Sequence, residues 1–303
     1  MSTTDTSAPE GKTVTQKKEI TPRQALIKRA LKNRNLMVSG GILLLIVLIA
    51  IFAPLLAPHD PYKQNLLARM VRPAFMGGDS KHLLGTDALG RDMLSRLLYG
   101  ARVSLGVGLL ATLMSGIIGT TMGLLAGYFG GRIDQVVQFL INVRLALPAI
   151  LVALACVSLF GGSITVVTIT LGLLLWDRFA VVIRAATMQL RNMEYVAAAE
   201  VLGARMPRIL RKDILPNVTS QLVVIASLEM ASAIMLEAGL SFLGLGVQPP
   251  TPSWGLMISE GKEMLLFESW LITIPGICLF VLVFAINVFG DGIRDISSPE
   301  GRN

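Results

Sequence analysis

Residues Leu145–Trp176 read LALPAILVALACVSLFGGSITVVTITLGLLLW, thirty-two consecutive residues without a charge. As one helix this stretch would be about 48 Å long, against a bilayer core of about 30 Å. Gly161-Gly162-Ser163 interrupts it near the middle. The pattern therefore predicts a tight hairpin of two membrane spans, about Ile133–Phe160 and Ile164–Ile183. Arg144 falls within the first of these spans and Asp177 with Arg178 within the second. All three lie toward the inner ends, where they can snorkel or pair.

Working outward, the rest of the chain repeats the theme. Hydrophobic residues make up 53% of it and charged residues 16%, well below the roughly 25% charged of soluble domains. Residues 1–36 form a polar, basic tail, with Met1–Gln16 too hydrophilic for a signal peptide. Pro22–Asn33 is expected to lie on the membrane as an amphipathic helix. The first span is Met37–Ala57. Eight Lys and Arg precede it, which places the N-terminus in the cytosol by the positive-inside rule. An extracytoplasmic segment, 58–102, follows. In it Asp92 and Arg96 stand four apart and can pair if the segment is helical.

The second span is Val103 to about Tyr128. Ser115, Gly119, Gly123 and Gly127 recur every four residues along it, a stripe where another helix can approach closely. The fifth span is about Val218–Leu240 and the sixth about Leu271–Phe289. Between them lies a Pro-rich outer loop, 247–268, bracketed by Trp254 and Trp270 as interfacial anchors. The five later spans make up a core over 103–291, and residues 292–303 return to the cytosol as a tail. The class is an all-α, six-span membrane protein.

The net charge of +7 does not indicate nucleic acid, because the basic residues flank apolar runs and do not alternate with aromatics. Cys156 and Cys278 lie in apolar runs and read as packing. No G-x-x-x-x-G-K-[ST] loop, G-x-S-x-G elbow or H-E-x-x-H pair occurs, so the chain carries no ATP site of its own and no catalytic signature. His59 and His82 lie too far apart in sequence to give a zinc spacing. No catalytic, cofactor-binding or metal residue is assigned. Glu229 and Glu237 are the only acids deep in a span. They are candidates for lining a pathway, and Glu237 reads either as a cargo contact or as an interhelical hydrogen bond that holds two such subunits together.

The turn before the fifth span reads NMEYVAAAEVLGARMPRILRKDILPN, Asn192–Asn217. Asn192 can cap a helix with Glu194 in its first turn. Tyr195–Leu202 is Ala-rich and helix-favouring. Gly203 permits a reversal, Pro207 suits the first turn of a second helix, and Pro216 stops that helix at the membrane. The result is a helix–turn–helix hairpin over 192–216. On residues alone it is either a solvated connector or a slim element that enters a cleft on another protein.

This segment resembles the cytosolic coupling motif of ATP-binding-cassette importer permeases, E-A-A, Gly four residues on, then I-x-L-P. Ala198, Ala199, Gly203, Leu215 and Pro216 match it. Ala197 stands where the family often has Glu, and Asp213 where it often has Ile, with Glu200 and Ile214 close by but out of register. LGTDALGRDMLSRLLYGARVSL (Leu84–Leu105), LSFLGLGVQPPTPSWG (Leu240–Gly255) and FGDGIRD (Phe289–Asp295) are similar to stretches of the second permease subunit of dipeptide and oligopeptide importers. The resemblance implies the type I importer permease fold in a bacterial inner membrane. It also implies a second homologous permease, two ATPase subunits carrying ATP and Mg²⁺, an extracytoplasmic solute-binding protein and a peptide cargo. Tyr195, Ala198, Ala199, Glu200, Gly203, Ala204, Leu215 and Pro216 would then couple to the ATPase. Nickel and glutathione systems share the motifs and stay open as alternatives. A stand-alone secondary transporter and a pathway-free assembly scaffold are the readings outside the family.

Overall fold

In the computed structural model, which describes residues 29–297, the first long helix starts at Asn33. The Asn33 side chain accepts a hydrogen bond from the Leu36 N–H at 3.1 Å and so caps α1 (Arg34–Leu56). The interfacial helix expected over Pro22–Asn33 falls largely outside the described residues. Among those residues no strand forms, only an isolated bridge between Thr86 and Asp92.

Asp92 sets the start of the second long helix. One oxygen of its carboxylate accepts from the Ser95 N–H at 2.8 Å and from the Ser95 hydroxyl at 2.7 Å. That cap begins α2 (Met93–Phe129), so Met93–Arg102, expected in the polar outer segment, are already helical. Gly130 turns the chain into α3 (Gly131–Ala146), and α4 (Ala149–Phe160) follows. The span expected over Ile133–Phe160 is therefore broken, with 84° between its halves. Pro148 is the cause, since it lacks an N–H and disfavours helix in the residue before it.

Ser163 caps α5 (Ile164–Leu174), and after Leu175 comes α6 (Trp176–Arg191). Next are α7 (Glu194–Val201) and α8 (Met206–Ile209), then a π turn, Leu210–Ile214, and α9 (Leu215–Phe242). Pro216 does not stop a helix, contrary to expectation. The widened turn just before it absorbs the hydrogen bond that proline cannot donate, and the chain runs on into α9. The last helices are α10 (Trp254–Gly261) and α11 (Trp270–Ser297). Asp291–Asp295, expected in a polar tail, thus continue α11.

Among the described residues five helical runs are long and apolar enough to cross a membrane, and the bent α3–α4 pair makes a sixth if counted as one span. The centre of the fold is α2 against α6. A Cβ on Gly123 would lie 2.8 Å from the Ala180 carbonyl oxygen and 3.0 Å from the Arg184 N, and one on Gly127 would lie 2.6 Å from Thr187 Cβ. The small-residue stripe is therefore the seam where the two backbones meet.

Trp254 and Trp270 are buried, and this corrects their reading as interfacial anchors. The Trp254 indole donates to the Leu97 carbonyl at 2.9 Å, against Gly100 of α2. The Trp270 indole donates to Glu268 at 2.9 Å. Both rings fasten the loop they flank to the bundle. Arg96 does not pair with Asp92. It pairs with Asp87, and with Glu260 at 2.7 Å, while Arg91 joins the same two acids at 2.7 and 3.0 Å. The segment before α2 and α10 are thereby tied together across 169 residues.

Gly123→Leu should force α2 from α6 and cost about 1–3 kcal/mol, the usual penalty of overpacking. Gly106→Ala, where an added Cβ meets nothing within 4 Å, should leave the melting temperature unchanged or raise it, because Gly costs helix stability. Thermal unfolding of the two variants in detergent checks this contrast.

Candidate functional site: a closed hairpin and a charged cavity

The 192–216 hairpin is closed by main-chain bonds. Gly203 takes a left-handed conformation, φ +78°. Its N–H donates to the Glu200 carbonyl at 2.9 Å, and the Ala204 N–H donates to the Ala199 carbonyl at 3.0 Å. This pair of bonds is the Schellman arrangement, with Gly as the residue that reverses the chain. Beneath the turn, Val196, Ile209, Ile214 and Tyr128 are buried together, with Ala199 and Ala204 packed against them. Asn192 does not cap α7 as expected. It ends α6, its side chain donating to the Met188 carbonyl at 3.2 Å, and Met193 precedes α7 with no side-chain cap.

Two departures from the family motif acquire a physical account. Glu200 sits one turn beyond Ala197 on α7 and accepts a hydrogen bond from the Tyr128 hydroxyl at 2.9 Å, while Arg191 lies over the Tyr128 ring at 5.4 Å. Asp213 works through its main-chain carbonyl, which takes hydrogen bonds from Asn217 at 2.6 Å and from the Tyr195 hydroxyl at 3.4 Å. Any residue type supplies that carbonyl. The π turn carries Ile214 into the core, so the apolar residue sits one place after the expected position. Leu215 is half-buried and Pro216 exposed at the joint with α9. The tip is bare: Val201 is 88% exposed and Leu202 86%, Ala197 and Ala198 are exposed beside them, and Arg205 and Arg208 follow.

The second locus lies at the two helix breaks. Arg144 donates to the Leu174 carbonyl at 2.6 Å and to the Leu147 carbonyl at 3.3 Å, meeting carbonyls beside both interruptions. Next to it opens a cavity of about 470 Å³ between the α3–α4 bend, the start of α6 and the middle of α9. Arg178 and Glu229 face each other across its wall at 3.1 Å. Glu229 is buried, and its second oxygen, also buried, has no hydrogen-bond partner among the described residues. Asp177 also lines the cavity. Such a site presents one exposed guanidinium, with the Glu229 carboxylate buried behind it.

Glu237 lies elsewhere. Fully buried, it accepts hydrogen bonds from the Ser241 and Ser253 hydroxyls, both at 2.9 Å. Ser253 in turn caps α10 and Ser241 accepts from the Val247 N–H. Both partners belong to this chain, so Glu237 ties α9 to the 247–268 loop and does not line the cavity. Sequence reading also kept His59 and His82 apart, whereas the fold brings both to Asp92.

A multi-pass helical bundle with a protruding hairpin and a charged cavity at broken helices has the design of a transport permease. Residues 119–302 match the family model described as the binding-protein-dependent transport system inner membrane component, and the chain belongs to that family. Residues 21–73 match the N-terminal transmembrane domain of oligopeptide transport permease C. The chain is 39% identical over 270 residues to the dipeptide transport system permease protein DppC of Haemophilus influenzae, covering 89% of this chain and 92% of that one. It is 40% identical over 292 residues to DppC of Escherichia coli, covering 96% and 97%. The glutathione transport system permease protein GsiD of Pectobacterium atrosepticum is 36% identical over 280 residues, covering 92% of each. The MetNI methionine ABC transporter, solved in inward facing conformations, superposes with a TM-score of 0.56 at 17% identity, over 67% of this chain and 97% of that chain. This last likeness bears on the fold, the type I importer permease fold.

Arg144→Met should strip the Leu174 carbonyl of its charged donor and cost about 1–3 kcal/mol. Arg144→Lys should recover only part of this, since an ammonium cannot fork between two carbonyls as a guanidinium does. Melting temperatures of the two variants in detergent decide it.

Proposed function

We propose that this chain is one of two permease subunits of an ATP-driven, binding-protein-dependent importer of short peptides in a bacterial inner membrane, with both termini and the hairpin in the cytosol. What carries the reading is the hairpin. Its apolar tip is exposed on a rigid, main-chain-closed turn, and a bare Val-Leu pair on an ordered surface is suited to filling a pocket on a partner. That partner is an ATPase subunit. Tyr195, Ala198, Ala199, Glu200, Gly203 and Ala204 shape the docking element, while Leu215 and Pro216 join it to α9. ATP and Mg²⁺ act on the ATPase subunits, and this chain transmits their closure as a rigid-body movement between two states. A second permease completes the pathway, and a solute-binding protein delivers cargo to the outer segments.

Peptide cargo is supported by the DppC relatives at 36–41% identity and by the chemistry of the cavity. The exposed Arg178 guanidinium suits a peptide's carboxylate, and the buried Glu229 holds that guanidinium in place. Glu229 thus serves the pathway through Arg178, and Glu237 serves the frame. The glutathione reading is favoured by the GsiD relative and differs only in cargo.

Leu202→Glu should leave the fold within about 0.5 kcal/mol of wild type, as exposed substitutions do. It should abolish uptake of a labelled dipeptide and release the ATPase subunits on purification. Uptake at the wild-type rate would overturn the docking assignment. Competition decides the cargo: unlabelled dipeptide should block uptake, and reduced glutathione at the same concentration should not.

A further inference from the structure

The chain contains two histidines, His59 and His82, and both converge on one carboxylate oxygen. His82 Nδ1 lies 2.8 Å from Asp92 Oδ1, and His59 Nδ1 lies 3.5 Å from the same atom. The two rings are 4.8 Å apart between centroids and tilted by 35°. From these observations we propose that His59, His82 and Asp92 form a binding site for a divalent transition metal of the zinc class, with one coordination position open to solvent.

Geometry is the first argument. Bonds of about 2.0–2.1 Å in a tetrahedral zinc site put neighbouring ligand atoms about 3.3 Å apart. The two measured edges, 2.8 and 3.5 Å, straddle that value. All the candidate ligand atoms lie within 4.8 Å of one another, so a small rotation of the His59 ring brings the third edge into range. Donor chemistry is the second argument. Two imidazoles and one carboxylate suit zinc, nickel, cobalt or copper, whereas magnesium and calcium call for oxygen shells.

Support around the ligands is the third argument. Asp92 is buried and its other oxygen is fixed by the Ser95 N–H and hydroxyl, which leaves Oδ1 aimed at the two rings. Ser95 Oγ also accepts the His59 main-chain N–H at 3.1 Å. One serine therefore orients one ligand directly and holds the backbone of a second, the kind of outer support that metal ligands receive. The fourth position faces outward, because the His59 side chain is 42% exposed and that of His82 17%. Water, or a donor group from a docked molecule, can occupy it. The site closes the loop from His59 to Asp92 onto the first turn of α2, at the opposite end of that helix from Tyr128 and the hairpin. A bound ion would staple the outer segment to the helix that packs along α6.

The test uses the full chain in its co-expressed membrane complex, purified through a histidine-free tag, stripped with chelator and titrated with Co²⁺. The expected result is one Co²⁺ per copy of this chain, with the intense visible bands of a tetrahedral ion, displaced by Zn²⁺. His59→Gln or His82→Gln should each remove that ion while the complex still assembles, and Ser95→Ala should weaken binding about 10-fold. If a histidine variant fails to assemble, X-ray absorption of the wild-type complex loaded with Zn²⁺ decides. Imidazole scattering at about 2.0–2.1 Å supports the site. Its absence, or unchanged Co²⁺ binding in the double histidine variant, overturns it and leaves Asp92 as a plain acceptor for two imidazole N–H groups.

Discussion

A peptide carbonyl released from a helix within an apolar layer has no water to accept from, so the chain itself must supply a donor. Arg144 meets that demand at both interruptions of the bundle, reaching the carbonyls of Leu174 and Leu147 at once. Much else follows from this guanidinium. It lets Pro148 bend α3 against α4 and lets α5 give way to α6. Between the ends so freed, a cavity forms in which Arg178, Asp177 and Glu229 are gathered. An unbroken pair of helices would have closed that space with aliphatic side chains.

The second constraint is the close approach of α2 and α6. Helix α6 begins at the cavity with Asp177 and Arg178 and ends at Arg191, which stacks on Tyr128 beside the hairpin. Sixteen residues of helix span about 24 Å. Gly119, Gly123 and Gly127 keep α2 in backbone contact along that length. On the proposed reading, a push at the hairpin reaches the cavity through a single stiff rod laid on a second one. Compliance then belongs at the breaks, where the helices are already parted.

The long apolar runs were legible because hydrocarbon leaves the sequence little freedom, and the number of spans, counting the bent pair as one, follows from hydropathy alone. The four-residue stripe and the turning role of Gly203 were legible for a similar reason, since each depends on residues a few positions apart. What stayed hidden depends on distance in sequence. Arg96 has Asp92 at a helical spacing but takes Asp87 and Glu260, because Asp92 is engaged with Ser95 as a cap. Trp254 and Trp270 have the composition of interfacial anchors, yet small residues at Gly100 and Gly85 make room for them inside. The acids of α9 are eight residues apart and look equivalent, but neighbours from other elements divide them, with Arg178 on one and two serines on the other. The meeting of His59 and His82 is invisible for the same reason, because the 22 residues between them carry no periodicity from which to read it.

The hairpin turn is held by one glycine and two main-chain hydrogen bonds, so its shape owes little to the side chains at its tip. Ala197, Val201 and Leu202 are therefore free to change without unfolding the element that displays them. On the proposed reading, a cell that runs several transporters of this architecture in one membrane needs each hairpin to recruit its own motor and ignore the rest. A fixed scaffold with a replaceable surface permits that: pairing can diverge one exposed residue at a time after a duplication, while the mechanics beneath stay the same.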